Sequence, residues 1–292
     1  MRVIASVDEF RDARRAWDAG GQRVGLVPTM GYLHEGHLRL IDAARQQSDV
    51  VVVSVFVNPL QFGPSEDFES YPRDLERDRT LAAGRGATLV FAPETGVMCP
   101  ADTEMRVVPG PTAERWEGVA RPGHFVGVLT VVAKLFNLTT PHVACFGQKD
   151  YQQLTLIRRM VRDLNWPVEI VGVPTVRESD GLAMSSRNVY LSPEERREAL
   201  SLSRGLSAAH ESWRAGQSDA AALEATARGV VELCPHVALE YIAVVDPDTL
   251  EPLVRVDDRS VIAVAARVGR TRLIDNIILG AGISGSNAPA AR

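Results

Sequence analysis

The chain predicts an α/β fold, a doubly wound parallel sheet followed by a second, smaller α+β domain, and three observations carry that reading. Five short apolar runs end in turn signals: Val24–Val27, Val50–Val57, Thr88–Phe91, His142–Phe146 and Val168–Val173. They are nearly continuous in apolar character rather than alternating, as strands buried on both faces of a parallel sheet are. Helical periodicity lies between them, with Leu38, Ile41 and Ala44 on one face of 37–47 and Leu154, Ile157, Val161 and Leu164 on one face of 150–164. After about Pro174 the pattern changes to helices followed by strands. Strand and helix alternating in the first part imply right-handed crossovers and a wound sheet, and ligands of such sheets sit beyond the carboxyl ends of the strands.

At 292 residues the chain is long enough for two domains with cores of their own, placed here at 1–175 and 176–292. In the second, Ser192-Pro193-Glu194-Glu195 reads as a helix start, with Ser192 as N-cap, Pro193 at the first helical position and Glu195 closing a capping box. That helix runs toward Gly216, a second covers about 219–233, and Leu239–Val245, Val261–Val268 and Leu273–Leu279 read as strands. Thr175–Leu191 connects the two domains, and the Gly/Ser/Ala-rich tail 280–292 is expected to fray.

Composition narrows the function class. Apolar residues are 45% and charged residues 24%, ordinary values that exclude disordered and collagen-like chains. A net charge of −5 without a Lys/Arg-rich block argues against a nucleic-acid partner and favours small-molecule work. No run approaches the ~18 apolar residues of a membrane span, and 1–19 carries scattered charges rather than a signal-peptide core, so the expected location is the cytoplasm. Cys99, Cys145 and Cys234 are widely spaced and odd in number, which indicates neither a disulfide framework nor a zinc cage. Of 32 Lys plus Arg residues only Lys134 and Lys149 are lysine, so a retained Lys marks a position suited to a compact ammonium rather than a planar fork.

Three clusters carry the chemistry. Val24–Val27 leads into Pro28-Thr29-Met30-Gly31, and His34-Glu35-Gly36-His37 opens the following helix. With His at 6 of 292 and Gly at 23 of 292, an H-x-G-H arises by chance in about 0.01 of such chains. A helix N-terminus favours a polyanion such as a triphosphate, Gly36 lets the backbone approach, and histidines three apart share one side of the turn. From there they can donate to phosphate oxygens as charge builds. The second cluster, Phe146-Gly147-Gln148-Lys149-Asp150-Tyr151-Gln152-Gln153, again lies where a strand meets a helix. A lysine there opposes the helix dipole unless an anion joins it. The third, Met184-Ser185-Ser186-Arg187-Asn188, offers small hydroxyls and an Arg that can wrap a triphosphate.

H-x-G-H followed by a later M-S-x-x phosphate loop is the pattern of the nucleotidyltransferase superfamily, which includes class I aminoacyl-tRNA synthetases. More closely, the chain resembles the pantothenate synthetase family through Pro28–His37, Phe56–Phe62, Tyr71-Pro72-Arg73, His124-Phe125, Gly147–Gln153, Pro174–Asn188 and Thr271–Asn276. The resemblance implies a Rossmann-like first domain, a second domain covering the active site, a homodimer, and ATP-dependent joining of pantoate to β-alanine with Mg2+. It implies that His34 and His37 bind the ATP phosphates and that Lys149, Ser185, Ser186 and Arg187 hold and polarise them. Pro28, Thr29, Met30, Gly147, Val176 and Met184 would complete the nucleotide site, with Asp150 on the ribose. Gln61 and Gln153 would hold pantoate, with Met30, Asn58 and His124 nearby. Independently, carboxamides suit a polyol because they both donate and accept. Relatives carry an acidic run after Tyr-Pro-Arg that includes an Asp linked to magnesium. Here the segment reads Asp74-Leu75-Glu76-Arg77-Asp78, and Asp78 matches best.

Other readings stay open from the residues alone. A different adenylyl- or cytidylyltransferase would share the phosphate machinery but bring basic residues for a phosphate acceptor, a tRNA synthetase paralogue would bind tRNA, and a regulatory module would bind nucleotide without catalysis.

Overall fold

The computed structural model describes residues 1–64 and 66–283, and by contact density the chain divides into two compact units. The first comprises 1–148 with 152–173, and the second comprises 149–151 with 174–292.

Among the described residues the first unit contains β1 (Arg2–Ile4), α1 (Val7–Ala19), β2 (Val24–Thr29), α2 (Glu35–Arg45), β3 (Val50–Val55), α3 (Leu75–Gly84) and β4 (Leu89–Phe91). The single-turn helices α4 (Thr95–Met98) and α5 (Glu117–Ala120) follow, then α6 (His124–Thr139), β5 (Val143–Gly147), α7 (Tyr151–Asp163) and β6 (Glu169–Val173). The strands pair in parallel in the order β1-β4-β3-β2-β5-β6. Winding runs outward from β2 through β3 to β4 and then restarts on the other side with β5, so order reverses at the β2/β5 pair. The segments leaving β2 and β5 are therefore where a doubly wound sheet places its ligand chemistry. Val50–Val53, Val24, Leu26, Val27 and Val143–Cys145 are all buried, which explains why these strands read as unbroken apolar runs.

Periodicity alone misses the flanks. A three-residue edge strand, β1, precedes the run at Val24, and the intervening α1 starts at the N-cap Ser6 with Asp8 and Glu9 in its first turn. Three residues are too short to display a period. Helix α6 escapes it as well, because it is buried nearly all round and shows no amphipathic stripe. No helix of the described residues is long and apolar enough to cross a membrane.

The second unit consists of α8 (Pro193–Arg214), α9 (Ala220–Val231) and an antiparallel sheet, β7 (Val237–Val245), β8 (Val261–Val268) and β9 (Thr271–Ile278). The capping box at the start of α8 is present, with Glu195 N donating to Ser192 Oγ at 3.2 Å and Ser192 N to Glu195 Oε2 at 2.8 Å. Leu202, Leu206, Leu223, Ile262 and Val264 form its core. Of the tail expected to fray, Gly280–Ile283 turns back so that Gly282 bridges Ile278, and 284–292 lie outside the described residues.

Candidate active site

Four consecutive backbone amides after β2 are each taken by a side chain. Gly31 N donates to Thr29 Oγ1 at 3.1 Å, Tyr32 N to Asp78 Oδ2 at 2.7 Å, Leu33 N to Asp78 Oδ1 at 2.6 Å and His34 N to His37 Nδ1 at 3.3 Å. Thr29 is fixed in turn by donating to Ser54 O on β3 at 2.7 Å. The loop is left-handed at Gly31 (φ 83°) and Tyr32 (φ 49°), and His34 is the N-cap of α2. The His34 and His37 rings lie with centroids 4.0 Å apart and are half-buried. Glu35, between them, is bound by both oxygens to Arg85 Nη2 at 2.8 and 2.7 Å, while Arg85 Nη1 donates to Asp42 at 2.7 Å. The first turn of α2 is thus tied down through Glu35, one of the two residues between the histidines.

Asp78 is used differently from the reading that matched it to a magnesium ligand. Its side chain is only 1% exposed and both oxygens already accept short backbone bonds. Magnesium asks for near-octahedral oxygen ligands with several waters retained, and this carboxylate faces amides in a dry setting, so it does not fit that task. Burial pushes the Asp78 carboxyl above its ordinary range, against the two N–H donors that favour the charge. Among the described residues, Glu194, Glu198 and His236 could gather round a cation, but Glu198 is engaged by His236 N and Nδ1 at 2.8 Å each.

A second cluster joins Met30, Asn58, Gln61 and His124. The 3-10 turn Pro59–Gln61 is capped by Asn58, whose Oδ1 accepts from Leu60 N at 3.0 Å. Asn58 Nδ2 donates to Gln61 Oε1 and to Gly127 O, each at 3.1 Å. With its oxygen so occupied, Gln61 presents its amide nitrogen, which lies 3.1 Å from Met30 Sδ. A Cβ on Gly127 would fall 2.1 Å from Leu60 O and 2.7 Å from Gln61 N, so only glycine lets α6 cross this turn so closely.

His124 is held at both nitrogens. Nδ1 lies 2.9 Å from Gln61 O, which can only accept, and Nε2 lies 3.0 Å from Arg121 Nη1, which can only donate. The ring is therefore neutral with the proton on Nδ1. Burial, with Arg121 beside it, pulls its pKa down to about 4. Arg121 also donates to Gln61 O at 3.1 Å and bidentately to Glu66 at 2.8 and 2.5 Å. Burial works to raise the Glu66 carboxyl, yet the bond and charge of Arg121 hold it below the usual range. Arg121 and Glu66 escape a sequence reading because, in an arginine-rich chain, neither stands out.

In the second unit, Lys149 occupies the 3-10 turn Gln148–Asp150 after β5. Its carbonyl accepts from Asn276 Nδ2 at 2.8 Å. Next to Asn276 on β9, Asp275 receives a bidentate bond from Arg177 at 2.6 and 2.9 Å, with both side chains 3% exposed. Arg177 bridges Ala183, and Met184 N donates to Val176 O at 2.9 Å, so Val176 and Met184 meet across a tight hairpin. Asn188 Nδ2 closes this loop on Glu178 at 2.7 Å and on Ala183 O at 3.1 Å. Between these anchors, Ser185 caps the turn Ser186–Tyr190, accepting from Arg187 N at 3.3 Å, and Ser186 is buried. The segment expected to be a connection is therefore a folded part of the second unit. Thr271–Asn276 carries the family resemblance, and here its Asn276 holds the Lys149 carbonyl while its Asp275 holds the Arg177 guanidinium.

The remaining positions are placed as follows. Pro28 lies in β2 opposite Ser54, Gly147 ends β5 with nothing within 4 Å of an added Cβ, and Asp150 is exposed. Gln153 is half-buried on the first turn of α7, whereas its neighbour Gln152 is buried and bonded to Thr112 O, Arg115 O and Glu117 N. All three cysteines are free, and burial pushes the Cys145 thiol up to about 12, which keeps that sulfur protonated and unfit as a nucleophile.

A wound parallel α/β unit with a histidine pair at the helix start after its central strand, joined to a small α+β unit, defines a class of fold, and comparison with known proteins narrows it. Residues 2–278 match the family described as Pantoate-beta-alanine ligase. A pantothenate synthetase of Moorella thermoacetica is 54% identical over 279 residues, covering 96% of this chain and 98% of that one. A crystal structure of pantothenate synthetase from Thermus thermophilus superposes with a TM-score of 0.91 at 52% identity, covering 96% and 99%. A pantoate-beta-alanine ligase from Francisella tularensis, solved with beta-gamma ATP and beta-alanine, gives a TM-score of 0.79 at 34% identity, covering 97% and 100%. The chain belongs to the pantoate-beta-alanine ligase family.

Proposed function

We infer that this chain condenses (R)-pantoate with β-alanine in an ATP-dependent reaction, giving pantothenate, AMP and pyrophosphate through a pantoyl adenylate. The observation that carries the reading is the near full-length match to ligases of this family, one of them solved with an ATP analogue and β-alanine. Chemistry supports the intermediate. A carboxylate is a poor electrophile with no leaving group, and pantoate oxygen attacking the α-phosphorus converts that oxygen into part of an acyl–AMP anhydride. The β-alanine amine then attacks the carbonyl and AMP departs. No covalent enzyme nucleophile is needed, in keeping with the raised Cys145 thiol and with serines that serve as cap and buried turn residues.

In this reading His34 and His37 donate to the phosphates as charge develops, and Lys149, Ser185, Ser186 and Arg187 hold and polarise them. Pro28, Thr29, Met30, Gly147, Val176 and Met184 shape the nucleotide site, with Asp150 on the ribose. Gln61, oriented by Asn58 to present N–H, holds pantoate together with Gln153, with Met30, Asn58 and His124 nearby. His124 orients that pocket instead, its neutral ring donating to Gln61 O and accepting from Arg121, since a pKa of about 4 keeps it uncharged in the working range. ATP enters as its magnesium complex, with the ion carried on phosphate oxygens. By the family resemblance the protein is a cytoplasmic homodimer.

The test is incubation with ATP, magnesium, β-alanine and pantoate labelled with heavy oxygen in its carboxylate. One labelled oxygen is expected in AMP, and pyrophosphate exchanges into ATP when β-alanine is withheld. Replacing His34 or His37 with Ala lowers turnover by about 10²–10³. Label in inorganic phosphate, or nucleotide retained on the product, overturns the reading in favour of a different phosphoryl or nucleotidyl transfer.

A further inference from the structure

We propose that Asp78 is a positioning residue whose carboxylate, donated from the first turn of α3, holds the Gly31–Leu33 loop so that His34 and His37 are presented at the start of α2. The proposal rests on the reading that those histidines act on the phosphates of ATP.

Three features of the loop support it. Gly31 and Tyr32 are both left-handed, and for a bulky residue such as Tyr32 that conformation persists only when its surroundings over-determine it. Successive N–H groups in such a turn converge into an anion-binding concavity. Here the anion is internal. Asp78 takes Tyr32 N on one oxygen and Leu33 N on the other at 2.7 and 2.6 Å, across 46 and 45 residues of sequence. The fit is close, since a Cβ added at Gly31 would stand 2.9 Å from Asp78 Oδ2 and 2.9 Å from Val55 Cγ1. The neighbouring Arg77 lays its guanidinium over the Tyr32 ring at 4.9 Å, so two adjacent residues of α3 grip one loop residue. From Leu33 the chain passes directly into His34, with no slack between the pinned amide and the N-cap.

Two consequences separate this from a metal-ligand role. The pin is made by protein groups alone, so its loss shows in the free protein. It also acts on geometry, so the requirement for magnesium is unaffected by it.

The experiment compares the full-length protein with Asp78→Asn, which keeps the shape but turns one oxygen into a donor facing an N–H. Backbone hydrogen exchange is followed in the absence of nucleotide, and kcat, KM for pantoate and the magnesium concentration for half-maximal rate are measured. Exchange at 31–34 is expected to rise about tenfold or more while strands β2 and β3 keep their protection. Turnover is expected to fall about 10²-fold with KM for pantoate little changed, because a misplaced group loses rate rather than substrate affinity. The half-maximal magnesium concentration stays at the wild-type value. Wild-type exchange at 31–34 overturns the proposal whatever the activity. Faster exchange with wild-type turnover overturns it too, as does a rate restored by excess magnesium, which assigns Asp78 to the ion. If Asp78→Asn does not fold, Gly31→Ala, whose added Cβ would meet Asp78 Oδ2 at 2.9 Å and push the carboxylate off the loop amides, is judged by the same readouts. Failure of the parent reading is separate, because the unmodified protein would then make no pantothenate while the exchange result would still stand.

Discussion

His124 shows how much one side chain can be told by its partners. It sits between a carbonyl oxygen and a guanidinium, and the guanidinium contact turns repulsive when the ring takes a second proton. Its folded pKa of about 4 lies below the ordinary 6.5, so the unfolded chain binds the proton first as pH falls. The stability this neutral ring contributes is complete above pH 6.5 and is lost as pH drops toward 4, by roughly 3 kcal/mol in all. Urea unfolding at steps of pH checks this. The wild type should lose stability steeply over that window, and His124→Gln, which cannot titrate, should lose less. Loss of the same size in both proteins would remove His124 from the account. At the residue scale the sequence singles out this histidine through resemblance alone, since nothing in Pro122-Gly123-His124-Phe125 announces a buried, neutral ring.

At the scale of elements, the Pro59–Gln61 turn and α6 are positioned by a single missing side chain. The backbone of α6 at Gly127 comes so near Leu60 and Gln61 that a methyl group there meets backbone atoms of both residues. Neither partner can yield cheaply, because Asn58 ties the turn to Gly127 O and α6 is buried on nearly every face. Gly127→Ala is therefore expected to cost about 1–3 kcal/mol of stability in urea unfolding, and to lower kcat/KM for pantoate at least as strongly as it lowers stability. Unchanged kinetics in the folded variant would show that the Gln61 turn does not set pantoate binding. The β9 strand plays a comparable part in the second unit, where Asp275 and Asn276 hold the loops that carry Arg177 and Lys149. A buried ion pair of this kind is costly to break by halves, and it gives orientation more surely than it gives net stability.

For the molecule as a whole, three cores among the described residues stabilise two compact units. In the first unit Val24, Val50 and Val52 pack with α6 and α7 while Val27, Val51 and Val53 pack with α2, and the third core is built on α8, α9 and β7–β9. Leu223 is fully buried in the third and makes no contribution to the proposed chemistry. Leu223→Ala should cost about 2–5 kcal/mol, read as faster hydrogen exchange in β7–β9 while β2 and β3 keep their protection. A uniform loss of protection across both sheets would mean that the chain opens as a single cooperative body.

By itself the sequence determined the main strands, the starts of α2, α7, α8 and α9, and the residues that name the family. These depend on signals a few residues long: an apolar run between turns, a Ser-Pro-Glu-Glu cap, an H-x-G-H. Val261–Val268 is bounded to the residue and the Ser192 cap to the atom, because each is written in neighbouring side chains. The short edge strand β1 and the all-buried α6 are not legible, the one lacking length and the other lacking contrast. Tertiary structure alone decided what the charged residues do. Asp78 lies 46 residues from Tyr32, Arg121 lies 55 from Glu66 and Arg177 lies 98 from Asp275. No local pattern marks which carboxylate will be buried against which donor, since that choice is made by where the fold brings the chain together, and burial is what turns an ordinary charge into a fixed one.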